Sequence, residues 1–100
     1  MTITTNHENA DLNVVLTGRL DSVTANELDN VLQKELTQDT TSLTVNLKEI
    51  DFISSKGLRV LVAAYKKLTG KPMTLVGANP SVLEVLRLSG LLKIFTIKEN

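Results

Sequence analysis

Between Leu43 and Leu68 the apolar residues change their spacing, and this change restricts the fold more than any other feature. Leu43-Thr44-Val45-Asn46-Leu47 alternates strictly, as a half-buried strand does. After a short polar break, Ile50, Phe52 and Ile53 continue the apolar character. From Leu58 the period is helical: Leu58, Leu61, Val62, Tyr65 and Leu68 form one stripe, while Lys56, Arg59, Ala63, Lys66 and Lys67 fall on the other side. Gly70 and Pro72 stop that helix. Met73-Thr74-Leu75-Val76 then reads as a short strand ended by Gly77. Strands joined by a helical crossover run parallel, so this stretch predicts an α/β fold.

The flanking segments extend the alternation. Thr2 to Thr5 is a candidate edge strand, and Leu12-Asn13-Val14-Val15-Leu16-Thr17 is a strand ended by Gly18. Thr24 and Glu27 have capping-box spacing, which predicts a helix start near Thr24. Ala25, Leu28, Leu32 and Leu36, with Val31 alongside, give that helix an apolar face. Asn79 as N-cap and Pro80 at the first position start a third helix, with Val82, Val85, Leu86 and Leu83 facing inward and Ser89-Gly90 ending it. Ile94-Phe95-Thr96-Ile97 is the last strand, before a frayed tail of Lys98-Glu99-Asn100. The predicted order is β-β-α-β-α-β-α-β: a mixed, mostly parallel sheet of four or five strands whose three helices cover one face.

Composition narrows the function. One hundred residues, 42% of them hydrophobic, make a single domain over residues 1–100 that can bury a core without disulfides or a metal. There is no cysteine, and the only histidine is His7. A thiolate nucleophile is therefore absent, and a zinc site or a serine–histidine–acid site would have to be built on this lone histidine in a poorly patterned N-terminal segment, where an exposed side chain is expected instead. Asp21, Glu49 and Asp51 could approach one another at strand ends, but acids at loop ends are usually just solvated. The five glycines form no phosphate-binding pattern, so no cofactor, catalytic residue or metal is assigned. The formal net charge of zero and three aromatic residues argue against nucleic-acid binding. No signal-peptide pattern and no apolar run near the ~20 residues of a membrane span are seen, so membrane insertion is not expected and the expected location is cytoplasmic. The charge is unevenly placed, nine of the eleven acids lying in residues 1–53 and eight of the eleven bases in residues 54–100. This describes either an internally complementary dipolar domain or a basic face that meets an acidic partner.

The last strand residues before the second helix lead into Ser54-Ser55-Lys56-Gly57, where either serine could cap the helix. Here the chain resembles the STAS domains of bacterial anti-sigma factor antagonists. The resemblance rests on Gly18-Arg19-Leu20-Asp21 followed by Thr24-Ala25, on Val45-Asn46-Leu47 leading to Phe52-Ile53-Ser54-Ser55-Lys56-Gly57-Leu58-Arg59-Val60-Leu61, on Leu75-Val76-Gly77 and on Leu86-Arg87-Leu88-Ser89-Gly90-Leu91. It covers nearly the whole chain.

The resemblance implies a switch. The family's central motif is Asp-Ser-Ser/Thr-Gly-Leu, with its first serine phosphorylated. With the glycine fixed, that position is Ser55, Ser54 being the runner-up; Ser54 stands in place of the aspartate and Lys56 in place of the following Ser or Thr. The unphosphorylated protein would bind an anti-sigma factor that is also a serine kinase and so free the sigma factor. Phosphorylation would end that binding, and a PP2C-type phosphatase would reverse it. Asp21, Ser54, Ser55, Lys56, Arg59, Ala63 and Lys66 are the expected partner-binding residues. The alternative is a STAS scaffold, never phosphorylated, in a transporter or a stress-signalling complex. A small enzyme is the third reading.

Overall fold

A computed structural model of the chain describes residues 1–99. Its elements are β1 (Thr2–Glu8), β2 (Asp11–Leu20), α1 (Ser22–Glu35), β3 (Ser42–Ile53), α2 (Ser55–Leu68), β4 (Met73–Val76), α3 (Pro80–Leu88) and β5 (Thr96–Lys98). The strands form one sheet in the spatial order β1-β2-β3-β4-β5, antiparallel at β1–β2 and parallel at every other pair. The predicted fold class and element order are therefore those observed.

Alternation along the strands builds the core. Leu12, Val14 and Leu16 of β2, Leu43, Val45 and Leu47 of β3, and Met73 and Leu75 of β4 are buried. They share one cluster with Ala25, Leu28 and Leu32 of α1, Leu58, Leu61 and Leu68 of α2, and Val82 and Leu86 of α3. The residues between them, such as Asn13, Val15, Thr44, Asn46 and Thr74, stay partly or fully exposed on the other face. The helices thus cover one side of the sheet.

Several boundaries differ from the sequence expectation. α1 starts at Ser22, not near Thr24, because Asp21 takes the N-cap: its carboxylate accepts from the Val23 and Thr24 amides at 3.0 and 2.9 Å, and Thr24 Oγ1 accepts from the Asp21 amide at 2.9 Å. Thr24 is the third helical residue of a capping box. β2 passes through Gly18 to Leu20 with a register shift beside the glycine, whose φ of +115° keeps the strand going through an irregularity. β5 starts at Thr96 and includes Lys98. The residues before it turn, Ile94 donating to the Leu91 carbonyl at 3.2 Å, and Phe95 is buried edge-on against Tyr65 with ring centroids 6.1 Å apart. The buried arc of α2 is wider than the predicted stripe. Val60 and Ala64 are buried as well, since α2 packs against α1 in addition to the sheet.

Candidate functional site

The C-terminal ends of β2 and β3 bring the site together. Ser54 follows β3 with an extended backbone, φ −91° and ψ 169°, and its amide donates to the Leu20 carbonyl at 2.8 Å. Its Oγ turns back to accept from the Gly57 amide at 3.1 Å, which makes it the N-cap of α2. Ser55 is the first residue of the helix and is exposed. The two adjacent hydroxyls therefore differ in kind: one caps the helix and the other lies on an exposed residue.

The Leu20–Ser54 hydrogen bond also sets Asp21 beside the start of α2. The Asp21 carboxyl is held below the usual carboxylate range, first by the Thr24 amide, with partial burial acting against it and further hydrogen bonds and Arg19 adding to it. Gly57 permits the close approach: a Cβ there would stand 2.7 Å from Leu20 Cγ.

Along α2, Ser55, Arg59, Ala63 and Lys66 line one groove of about 460 Å3. Leu58 and Val62 contribute its apolar floor, and the turn after α3 closes it with Ser89 and Leu91. Four of the seven expected partner-binding residues thus share one groove. Lys56 is exposed outside its lining, and Ser54 and Asp21 lie at the neighbouring helix starts. Sequence reasoning placed Leu58 and Val62 only in the core, gave Ser89 only a helix-ending role and gave Leu91 only a place in the family resemblance. The sequence signal for this wall was Leu91 following the Ser89-Gly90 stop, but no pattern links that turn to α2.

His7 is far from this chemistry. It pairs in register with Leu12, near the start of β2, whereas Ser54 follows the end of β3; its Nε2 lies 2.9 Å from Glu35 Oε1. Among the described residues no group of three or more His, Cys, Asp or Glu is placed to hold a metal ion. No helix among them is long and apolar enough to cross a membrane.

Comparison with known proteins agrees with this architecture. The STAS domain model matches residues 2–100, and the chain belongs to that family. The anti-sigma F factor antagonist of Paenibacillus polymyxa is 32% identical over 100 residues, spanning 94% of this chain and 83% of that protein. The crystal structure of an anti-sigma factor antagonist from Mycobacterium paratuberculosis is 26% identical, with a TM-score of 0.87 over 97% of this chain and 84% of that one. The Bacillus cell fate determinant SpoIIAA in its phosphorylated form shares the fold at 17% identity, with a TM-score of 0.76 over 96% of this chain and 90% of that one.

Proposed function

We propose that this chain is an anti-sigma factor antagonist: a binding module that engages an anti-sigma factor kinase, with Ser55 as its phosphorylation switch and no catalysis of its own. The observation that carries the reading is the division of labour at the start of α2, where Ser54 caps the helix and Ser55 is exposed. Support comes also from family membership and from the relative named as an anti-sigma factor antagonist.

Phosphorylation at Ser55 adds about −1.5 to −2 charges at neutral pH. The first-turn amides and the helix dipole favour an anion there by roughly 0.3–1 kcal/mol, so the fold tolerates the modification. The partner does not tolerate it, because it meets a dianion where it had packed against a hydroxyl. A penalty of about 3 kcal/mol at an interface lowers affinity roughly a hundredfold. A PP2C-type phosphatase would restore the binding form. Lys56 and Asp21 flank the serines and extend the partner surface beyond the groove.

The test is to incubate the protein with its cognate kinase and ATP, map phosphate by mass spectrometry and measure kinase binding before and after. Phosphate on Ser55, absent from Ser55→Ala and accompanied by release of the kinase, is the expected result. Phosphate on Ser54 overturns the assignment of Ser55. A chain that no cognate kinase binds or modifies overturns the antagonist reading in favour of the scaffold. The scaffold reading draws its support from Lys56, which stands where the family motif has Ser or Thr.

A further inference from the structure

Resting on the antagonist reading, we propose that the groove beside Ser55 seats an acidic, apolar-anchored segment of the anti-sigma factor, and that phosphorylated Ser55 competes with it for Arg59. The groove is floored by Leu58 and Val62 and walled by Leu91, and the ionisable residues in its lining are Arg59 and Lys66, both cations. An apolar floor between two positive groups is complementary to a surface with an apolar anchor between two negative ones.

Spacing narrows the occupant further. Arg59 and Lys66 are seven positions apart on α2, about 10 Å along the helix axis. One phosphate or carboxylate is too small to span that distance, so two separate acidic groups fit better. Ala63 lies between the cations and is exposed, which leaves room for the anchor. From Ser55 to Lys66 the helix rises about 16 Å. About five residues of extended chain, or roughly three helical turns, cover that length. The occupant is thus an acidic amphipathic segment.

Regulation follows from the register. Ser55 and Arg59 both line the groove, one turn apart on α2, with Cβ atoms about 5–6 Å from each other. A phosphate on Ser55 pairs with Arg59 and withdraws the cation from the partner's acidic group. Release then needs no change of fold, only a change in which anion holds Arg59.

The test is calorimetric titration of the cognate kinase into the wild type, Arg59→Glu, Ala63→Glu and Lys67→Glu, with thermal melts to check folding. All three substituted positions are exposed on α2; Arg59 lines this groove, Ala63 lines both it and the neighbouring hollow on the α1 side, and Lys67 lines that hollow but not this groove. Arg59→Glu and Ala63→Glu are expected to raise Kd by about tenfold or more, and Lys67→Glu by less than about threefold. Wild-type affinity in Ala63→Glu, or equal losses in all three variants, overturns the groove and leaves the antagonist reading standing. A wild-type chain that does not bind the kinase overturns both.

Discussion

Gly57→Ala isolates the contact that positions the start of α2, where the proposed switch serine lies. A Cβ at position 57 would stand 2.7 Å from Leu20 Cγ, 3.0 Å from Leu20 Cδ2 and 3.1 Å from the Leu20 carbonyl oxygen. Carbon atoms in good contact sit about 3.5–4.0 Å apart, so something must move. Leu20 has little freedom to move: its side chain is fully buried, and its carbonyl holds the Ser54 amide at 2.8 Å. Overpacking of this kind typically costs about 1–3 kcal/mol. Alanine in a helix regains roughly 0.5–1 kcal/mol over glycine. The difference predicts a net loss of ~1 kcal/mol, or about 4–8 °C in Tm for a domain of this size. Urea unfolding followed by far-UV circular dichroism measures it directly. The cause is tested by repeating the substitution in a Leu20→Ala background. Leu20→Ala alone should cost about 2–5 kcal/mol, but it removes the two closest atoms, Cγ and Cδ2, and leaves the carbonyl contact at 3.1 Å. Gly57→Ala should then be close to neutral. Since Ser54 and Ser55 sit on the displaced turn, the single variant should also bind the kinase less tightly. A Gly57→Ala protein as stable as the wild type, or an equal loss in both backgrounds, would refute the reasoning.

Two further outcomes follow from the same corner of the fold. Ser54→Ala removes the N-cap of α2 and should lower stability by about 1 kcal/mol in urea titrations. Phosphorylation at Ser55 should survive in that variant, and Ser54→Asp, which keeps a capping oxygen, should show no comparable loss. Acid should destabilise the fold through Asp21 and Asp11. The Asp11 carboxyl is lowered chiefly by the Ser42 hydroxyl and next by that of Thr41, as Asp21 is by the Thr24 amide. A carboxyl depressed in the folded state contributes its full stabilisation above the unfolded value of about 3.9 and loses it as pH falls through the folded value. Urea midpoints should therefore fall below pH ~4. The double variant Asp11→Asn, Asp21→Asn should flatten that slope; an unchanged slope would count against these hydrogen bonds.

Features governed by local periodicity were legible in the sequence, and those governed by contacts between distant segments were not. The alternation in Leu43–Leu47 and the helical stripe from Leu58 to Leu68 each record one face of one element. They were sufficient for the sheet and its crossovers. Thr24 and Glu27 satisfied a capping rule by spacing alone, and the cap went to Asp21, whose carboxylate reaches two amides. Val60 and Ala64 widen the predicted stripe because α1 lies against α2, a fact about tertiary packing that no single helix encodes. Leu91 entered only through the family resemblance, and its place in one groove with Arg59 and Lys66 depends on how the turn after α3 packs.

The serine pair shows how a one-residue offset separates a capping hydroxyl from an exposed one. An N-cap residue has an extended backbone, and its side chain folds back onto an amide of the first turn. The next residue is already helical, and here it is exposed. Ser54 and Ser55 are chemically identical, so composition cannot rank them, but the chain direction can once the end of β3 is fixed at Ile53. The same geometry accounts for Ser54 in place of the aspartate of the family motif. Serine and aspartate are about equally good N-caps, so the exchange preserves the helix start while removing a fixed negative charge beside the switch. Lys56 adds a positive charge on the other side of Ser55. Both changes leave the surroundings of Ser55 less negative than the family motif would, which favours both an acidic partner in the unmodified state and a phosphate in the modified one. On the proposed reading, the switch depends on which of these two anions holds Arg59.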